Sequence, residues 1–451
     1  MSVTKSQVST VGARLGRFVV DCREHELPAE LVEKLRCNLL HDLGCAMAAH
    51  TEGPSIWAVV RRFAPAEATL LCLGERVDAE HAAFANAALM HARAQDDTHY
   101  AAKTHVGSAV IPAALAIAER EGASGERFVR AVIAGYEVAA AVGERLAPDS
   151  TARGFRASML YGTLGSAAAC ASLLGLDAGE AANAIAIASS FSGGLNQTWI
   201  EGTSEWRWEL GMAARNGLLA ADLAASGALG AREWYEGAAG FARAFAGLEK
   251  PEQDGWELGE RWRILDVIYK PYPVCNITQS PVEATIGLVR DLDLEPDDVA
   301  SIRCLLNPSD RSYPGTLNWG PFLDVGASLM SAPFCVAMAV KHRSATLEGL
   351  HETDDEVMRE LIARTEVLAD EHLPTLAARV ELTTLTGERH VRELVPDAKT
   401  YGWDWDGVRE NSQRLLAEMA VDASGLESLE RAIRGVEELD SVAPLLEATV
   451  A

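Results

Sequence analysis

The sequence has little positive charge. Its 451 residues include 40 lysines and arginines against 65 aspartates and glutamates, which gives a formal net charge of −25 at pH 7. Nucleic acids and anionic membranes attract proteins through an excess of cations, so neither is an expected partner. An anionic substrate would need a local group of cations that overcomes the overall field.

Cysteine motifs and long apolar runs are also missing. The eight cysteines include no Cys-x-x-Cys pair and no metal-ligand spacing, and most lie in apolar segments. We interpret them as small core residues of a protein from a reducing compartment, without a metal site. Residues 1–6 lack the apolar stretch of a secretion signal, and segments 131–142 and 159–176 contain Glu137 or small polar residues. We therefore expect a cytoplasmic protein without a membrane span.

Apolar periodicity predicts a mainly α-helical fold. Apolar residues make up 48% of a chain that is too long for one core, so two domains are expected. Up to about residue 265, apolar side chains recur three and four positions apart, as on one face of a helix. The predicted helical segments are 30–49, 79–92, 108–121, 127–146, 160–175, 178–191 and 209–227.

The pattern changes near residue 264, where alternating segments appear. The predicted strands are 299–306, 378–384 and 390–394, with a turn at 385–388. The helical segments of this half are 277–291, 325–341, 407–420 and 424–437. We predict a large all-α domain from residues 1–265 and 405–451, and a smaller α+β domain with an antiparallel sheet from residues 266–404.

The densest polar segment lies at residues 91–112, between two alanine-rich helices. Within ten residues it holds Asp96, Asp97, Thr98, His99, Lys103 and His105. Such a group is costly to bury unless its members satisfy one another or a ligand. It supplies both the acid/base groups and the cations that proton chemistry next to a carboxylate requires.

Eight motifs in the same order resemble the MmgE/PrpD family of 2-methylcitrate dehydratases, cis-aconitate decarboxylases and iminodisuccinate epimerases. They are LHDLGCAMA (40–48), DDT (96–98), His105 with PAALAIAE (112–119), AGYE (134–137), GFRAS (154–158) with GTLGSAAA (162–169), GMAARNG (211–217), EGAAGF (236–241) and YKPYPVC (269–275). The resemblance covers nearly the whole chain. It implies an all-α domain from both chain ends, a smaller α+β lid domain, a homodimer, and no metal or organic cofactor.

The sequence also departs from the family pattern. The leading aspartate of the family falls on Ala94, and its histidine after Gly-Phe falls on Arg156. Its lysine and histidine in a Lys-Pro-Leu-His-x-Gly run fall on Trp206 and Glu209, and its tyrosine falls on Phe334. The retained positions are Thr98, His105 and Lys270, with Asp96 and Asp97 alongside. The substitutions make 2-methylcitrate dehydration itself less expected than the fold alone implies.

His105 is the predicted general acid/base, because an imidazole titrates near working pH and this one precedes an apolar helix. The alternative is a structural histidine. Asp96 and Asp97 either orient His105 or act as the base, or they cap the following helix. Thr98 either hydrogen-bonds a substrate carboxylate or is a turn hydroxyl.

Three cations are predicted to bind carboxylates. The resemblance implies a substrate lysine at Lys270. Arg156 and Arg207 offer bidentate forks that would replace the lost lysine, unless they simply pair with neighbouring glutamates. Those glutamates are Glu201, Glu205 and Glu209. Lys103 is either a further substrate contact or a solvated loop charge.

Tryptophans crowd the segment around Trp206, which we count among the substrate-binding residues. With Trp199 and Trp208 it either narrows the pocket for a substrate with an apolar part, or forms a lid seam or dimer contact.

Together these residues predict a cofactor-independent lyase, a dehydratase or decarboxylase, that acts on a polycarboxylate or related small carboxylic acid. The reaction would pass through an enolate-like state that needs cations and a positioned acid/base group. The alternatives are an isomerase or epimerase that uses the same proton abstraction, and a catalytically degenerate protein that only binds a ligand.

Overall fold

The computed structural model describes residues 10–61 and 66–450. Residues 1–6, where no secretion signal is expected, lie outside these ranges. The helices before residue 265 are α1 (Val11–Glu24), α2 (Ala29–Ala48), α3 (Gly53–Val60), α4 (Ala79–His91), α5 (Val106–Glu121), α6 (Gly125–Ala152), α7 (Ala157–Leu173), α8 (Ala178–Ser190), α9 (Gln197–Glu201), α10 (Glu205–Ala225) and α11 (Phe241–Ala246). All seven helical segments predicted from the apolar periodicity are confirmed. Several starts have a side-chain N-cap, as Asp177 provides for α8.

Glycines allow the central helices to approach closely. α6 and α7 cross where a Cβ on Gly165 would lie 2.6 Å from the carbonyl oxygen of Gly135. α10 packs against α4 in the same way, since a Cβ on Gly211 would lie 2.8 Å from the carbonyl oxygen of Phe84. Side chains at these glycines would force the helices apart.

The described strands form one larger sheet and two short pairs. They are β1 (Ala68–Thr69), β2 (Arg76–Val77), β3 (Thr98–His99), β4 (Val267–Ile268), β5 (Val299–Leu306), β6 (Thr365–Ala369), β7 (Ala378–Thr384) and β8 (Arg389–Leu394). β1 pairs with β2, β3 pairs with β4, and the larger sheet has the order β6-β5-β7-β8. The predicted strands correspond to β5, β7 and β8, which pair antiparallel as expected.

The larger sheet is mixed, because the unpredicted strand β6 lies parallel to β5. Between them the chain makes a helical crossover, which is the connection that a parallel pair requires. The helices of this region are α12 (Asn276–Asp291), α13 (Pro308–Arg311), α14 (Val325–Met330), α15 (Ala332–His342), α16 (Leu347–Leu350), α17 (Glu356–Ala363) and α18 (Ala398–Tyr401). The segment predicted as one helix at 325–341 is interrupted at Ser331, whose hydroxyl caps α15.

The chain end returns to the first helices. It forms α19 (Trp405–Leu415), α20 (Ala423–Arg434) and α21 (Ala443–Glu447), and α19 packs against α2. The larger of two main apolar clusters joins these helices to α1–α8, and the smaller lies mostly within residues 274–382. We call residues 10–265 and 405–450 the body, 272–404 the lid, and 266–271 the junction. The domain boundaries themselves stay a prediction.

The cysteines are confirmed as core residues in most cases. All eight lie in described segments and are unpaired, and six of them are buried. Among the described residues, no helix combines the length and the apolar character that crossing a membrane requires.

Candidate active site

A short strand pairing brings the polar segment against the junction. β3 lies in the loop between α4 and α5 and pairs with β4 so that Thr98 is opposite Ile268. This register places Lys270 beside the loop. The Gln95 side chain holds it there, because its Nε2 donates to the carbonyl oxygens of Lys270 at 3.1 Å and Pro271 at 2.9 Å.

A cavity of about 130 Å³ lies between the body and the lid. Five of the nine predicted site residues line it, namely Thr98, Lys103, His105, Arg156 and Lys270. The other four, Asp96, Asp97, Trp206 and Arg207, are not part of the lining. The lid wall includes Ile277, Asp310, Tyr313, Leu329 and Met330.

Asp96 is the buried carboxylate that organises the lining. It accepts hydrogen bonds from His91 Nδ1 at 2.8 Å and from the Ser108 hydroxyl at 2.5 Å. His105 Nδ1 lies 3.4 Å from the same carboxylate. Burial alone would raise the pKa of Asp96, but His105 and His91 hold it well below its ordinary value. Asp96 is therefore a fixed negative charge that orients two imidazoles.

The His105 ring makes all its described hydrogen bonds through Nδ1. This nitrogen lies 3.1 Å from the backbone oxygen of Asp97 and 3.3 Å from the Thr98 hydroxyl. Because a carbonyl oxygen can only accept, Nδ1 carries the proton and Nε2 holds the lone pair of the neutral ring. Burial lowers the pKa of His105, although Asp96 acts in the opposite direction. The ring is thus a neutral base whose Nε2 has no hydrogen-bond partner among the described residues.

Lys270 is a buried ammonium group next to this base. Its Nζ donates to the backbone oxygen of Ala94 and lies 3.4 Å from His105 Nδ1 and 4.0 Å from Asp96 Oδ1. Burial lowers the pKa of Lys270, whereas Asp96 acts to raise it. The site therefore places a cation beside the acid/base imidazole, as stabilisation of an enolate-like charge requires.

Asp97 points away from the cavity. Its carboxylate accepts the Gly107 N–H in the first turn of α5 at 2.9 Å and the Tyr136 hydroxyl at 2.6 Å, and its own N–H donates to Asp42. Burial raises the pKa of Asp97 to about 6. Each of the two roles considered for this carboxylate pair therefore belongs to one residue: Asp96 orients the imidazoles, and Asp97 caps the start of α5.

Arg156 lines the cavity, and it is also paired with a neighbouring glutamate, as one of the two alternatives predicted. Its guanidinium donates to Glu209 Oε2 at 3.0 Å, to the Trp206 carbonyl at 3.3 Å and to His91 Nε2 at 2.9 Å. It also lies over the Trp199 ring, with Cζ 4.5 Å from the centroid. Since His91 accepts at Nε2 and donates at Nδ1, it is neutral, and burial lowers its pKa to about 3.

Arg207 and Trp206 lie behind the lining. Arg207 donates to Glu52 of the body at 2.6 Å and to Asp324 of the lid at 3.3 Å. The buried Trp206 indole N–H also donates to Asp324, at 3.2 Å, and the ring packs edge-on against His91. The structure therefore places both residues at a contact between body and lid.

Lys103 is exposed and contributes to the edge of the cavity. Its backbone φ of 50° lies in the left-handed region. Burial lowers the pKa of its ammonium group, while the nearby Asp310 acts to raise it. Lys103 is both solvated and part of the cavity lining, so the structure is consistent with a substrate contact and with a solvated loop charge.

The sequence analysis names Trp199 as a pocket wall in one of its alternatives, but it misses His91 and Gln95. His91 begins the polar segment, but its partner Asp96 is five residues on, beyond the end of α4, so no helical period links them. Gln95 acts through the junction backbone, which only the β3–β4 pairing brings near. Trp199 enters the lining through the short helix α9.

The positions that depart from the family pattern lie in different environments. Ala94 lines the cavity in a left-handed conformation (φ 51°), and its carbonyl oxygen accepts from Lys270. Glu209 pairs with Arg156. Phe334 is fully buried in the lid and packs against Phe322, with ring centroids 4.9 Å apart.

Two described groups have metal-ligand chemistry. His91, Asp96 and His105 each bring a ligand atom within 4.8 Å of the others, but these atoms already bind one another and face Arg156 and Lys270. In the second group, His99, Glu144 and Asp266, the Arg261 guanidinium bridges both carboxylates. In both groups, lysine or arginine side chains already supply the positive charge that a metal ion would bring. A metal-free site stays our prediction.

The structure consists of a helical body and a smaller lid with a mixed sheet. Between their two cores lies a buried group of imidazole, carboxylate and ammonium side chains, which is the candidate acid/base site. Residues 13–254 match the MmgE/PrpD N-terminal domain, and residues 272–404 match the MmgE/PrpD C-terminal domain. The chain belongs to the MmgE/PrpD family, which confirms the resemblance of its motifs.

Several characterised relatives carry decarboxylase names. The cis-aconitate decarboxylase-like protein oryM of Aspergillus oryzae is 26% identical, over 99% of this chain and 98% of its own length. The cis-aconitate decarboxylase of Aspergillus terreus is 25% identical, over 99% of this chain and 97% of its own. The human cis-aconitate decarboxylase is 30% identical over 49% of this chain and 46% of its own.

Proposed function

We propose that this protein is a cofactor-independent lyase that removes carbon dioxide or water from a polycarboxylic acid. The lyase class follows from the family and from the full-length relatives. The observation that carries the mechanism is His105, which lines the cavity, is fixed through Nδ1, and has no partner at Nε2 in residues 10–61 and 66–450.

Each lining residue has a role in this proposal. His105 Nε2 exchanges a proton with the carbon next to a substrate carboxylate, and Asp96 keeps the ring oriented. Lys270 stabilises the enolate-like charge, and Thr98 donates to a substrate carboxylate. Arg156 fixes His91 and leaves the rest of its fork for substrate. A preorganised donor or cation of this kind contributes about 3 kcal/mol to the transition state.

Decarboxylation is the branch that the full-length relatives favour. There the carbon–carbon bond to one carboxylate breaks, its electron pair stays on the carbon chain, and carbon dioxide leaves. His105, which takes a proton from solvent on Nε2 before this step, then gives that proton to the carbon and returns to the neutral ring. In dehydration, His105 Nε2 instead takes the α-proton, and the imidazolium gives it to the β-hydroxyl, which leaves as water with the electrons of its carbon–oxygen bond.

Proton NMR in D₂O tests the proposal with a panel of cis-aconitate, citrate, 2-methylcitrate, iminodisuccinate and an aryl-substituted analogue. We expect one member to lose carbon dioxide or water, with an unchanged rate after exhaustive chelation. Deuterium entering recovered substrate without a new product would instead indicate an isomerase or epimerase. A folded protein that turns over no member would contradict the lyase and favour the degenerate ligand-binding alternative.

A cytoplasmic homodimer completes the proposal. Unpaired cysteines suit a reducing compartment. The exposed apolar residues Ile200 and Leu323 belong to neighbouring segments of body and lid, where Gly202 contacts Ala327, and would suit a second copy. Light scattering should give twice the monomer mass, and L323E should shift the mass toward one chain; a monomeric wild-type protein would contradict the dimer.

A further inference from the structure

The two walls of the cavity differ in charge. The cations of the lining are Lys103 and Arg156 from the body and Lys270 from the junction. Among the described lining residues of the lid there is no lysine, arginine or histidine, and the one charged group there is Asp310. A carboxylate that faced the lid would therefore meet like charge and no cation.

The cations are also largely balanced before any ligand binds. Arg156 has Glu209 at 3.0 Å, and Lys270 has Asp96 at 4.0 Å. Lys103 is exposed and lies near Asp310. Burying an anion without a partner is costly, and the protein as a whole is strongly negative. A third carboxylate would therefore find no cation in this cavity that is not already balanced by a carboxylate.

One part of the lid wall is apolar, next to the polar side chains of Asn276, Ser309, Asp310 and Tyr313. Ile277, Leu329 and Met330 line it, and all three side chains are buried in the cavity wall. Trp199 lines the same cavity from the body, and its backbone carbonyl lies near the Met330 side chain across Gly315. An aromatic plane beside a flexible methionine accepts alkyl and aryl groups of varied shape.

From this asymmetry we propose that the substrate is a dicarboxylate whose third arm is an alkyl or aryl group. The two carboxylates lie toward Lys270, Thr98 and Arg156, and the apolar arm lies on Trp199, Leu329 and Met330. This inference names the substrate class of the proposed lyase site. It concerns binding, so it is testable without turnover.

Calorimetry with saturated analogues, which cannot undergo the reaction, measures this preference. The series is succinate, methylsuccinate, butylsuccinate and benzylsuccinate, with the tricarboxylate propane-1,2,3-tricarboxylate as the competitor class. We expect affinity to rise by roughly fourfold for each added methylene that the wall buries. The tricarboxylate should bind no more tightly than succinate. Tightest binding of the tricarboxylate, no gain along the alkyl series, or no binding at all would overturn the inference.

Variants of the cavity wall test the binding of the apolar arm separately from the binding of the carboxylates. In M330A, benzylsuccinate should lose at least threefold in affinity while succinate is unchanged, because only the arm meets Met330. L329R adds a cation to the lid wall and should reverse the preference toward the tricarboxylate. Circular-dichroism melts establish that both variants fold, and W199F is a third variant that should retain most of the gain. Equal losses for succinate and benzylsuccinate in M330A would contradict the placement of the arm.

These experiments distinguish a failure of this inference from a failure of the proposed lyase function. Tight binding of arm-bearing dicarboxylates with no turnover of their unsaturated counterparts would support this inference and contradict the lyase. Rapid turnover of cis-aconitate without any gain from an apolar arm would support the lyase and overturn the inference.

Discussion

At the scale of single residues, Arg156 connects the unusual part of the site to its acid/base part. It donates to Glu209 on one side and to His91 on the other. His91 in turn donates to Asp96, which faces His105. We therefore expect a change at any member of this series to alter the orientation of the next one.

The neutral form of His91 predicts a pH dependence. Its pKa is about 3 in the folded protein and about 6.5 when unfolded, so the folded state binds fewer protons between these values. Its stabilising contribution is complete above about pH 6.5 and is lost as the pH falls toward 3. The advantage of wild type over H91N should thus shrink by about 1.4 kcal/mol per pH unit below 6.5.

Urea unfolding at pH 7, 6 and 5 measures this advantage. H372N, which changes an exposed histidine of the lid, is the control and should give curves parallel to wild type. A difference between wild type and H91N that does not change with pH would contradict this, since it would mean that His91 has the same pKa in the folded and unfolded protein.

The residues of the site were predicted best where chemistry alone identifies them. His105, Lys270 and Thr98 belong to motifs and line the cavity. Arg207 has the same chemistry as Arg156, yet it binds Glu52 and Asp324 outside the cavity. Arg156 lies at the start of α7 and Arg207 in the first turn of α10, and a sequence carries no distances that would show which of them reaches the cavity.

At the scale of elements, α5 is held at its two ends by different means. At its start, Gly107 packs so closely that a Cβ would lie 1.7 Å from Asp42 Oδ2 and 2.5 Å from the Tyr136 hydroxyl. At its end, Gly122 is left-handed (φ 61°) and has open space around it. The first position is restricted by packing and the second by backbone conformation alone.

Alanine at these two glycines should therefore have unequal effects. G107A forces buried carboxyl and phenol groups apart and should cost more than about 3 kcal/mol of the free energy of unfolding. G122A should cost about 1 kcal/mol, the usual penalty of a left-handed alanine. Chemical denaturation of both variants measures the difference. Equal losses would mean that the start of α5 is not packed as described.

Long helices and long strands were predictable, and short long-range pairings were not. Apolar and polar residues alternate along β5, β7 and β8, which are six to eight residues long. β6 has only five residues and follows closely on α17, so its pattern is harder to recognise. The two-residue pairing of β3 with β4 carries no sequence signal at all. It nevertheless places Lys270 in the site, so the candidate site depends on an element that no local pattern reveals.

At the scale of the whole molecule, Arg207 joins the body to the lid. It lies between Glu52 and Asp324, and His351 of the lid also lies 3.4 Å from Glu52. Because the cavity is lined from both sides, this contact controls how well the two walls meet. The predicted division into two domains follows the same line.

Removing the Arg207 charge should weaken substrate binding more than chemistry. R207M leaves Asp324 without its guanidinium partner and should cost about 1–3 kcal/mol of stability. We expect KM to rise several-fold and kcat to change little, because His105 and Lys270 are untouched. R61M, which breaks the exposed pair with Glu75, should cost at most about 1 kcal/mol. A large fall in kcat with KM unchanged would place Arg207 in the chemistry instead.

The most direct test of the central claim is the rate and deuterium content of product formed in D₂O by wild type and H105Q. If His105 Nε2 moves the proton, H105Q should lose about 10²–10⁴-fold in kcat/KM while its thermal melt stays near that of wild type. H372Q, at an exposed lid histidine, should keep full activity, and wild-type product should carry deuterium from solvent at carbon in the decarboxylation branch. Undiminished turnover by folded H105Q would contradict the account.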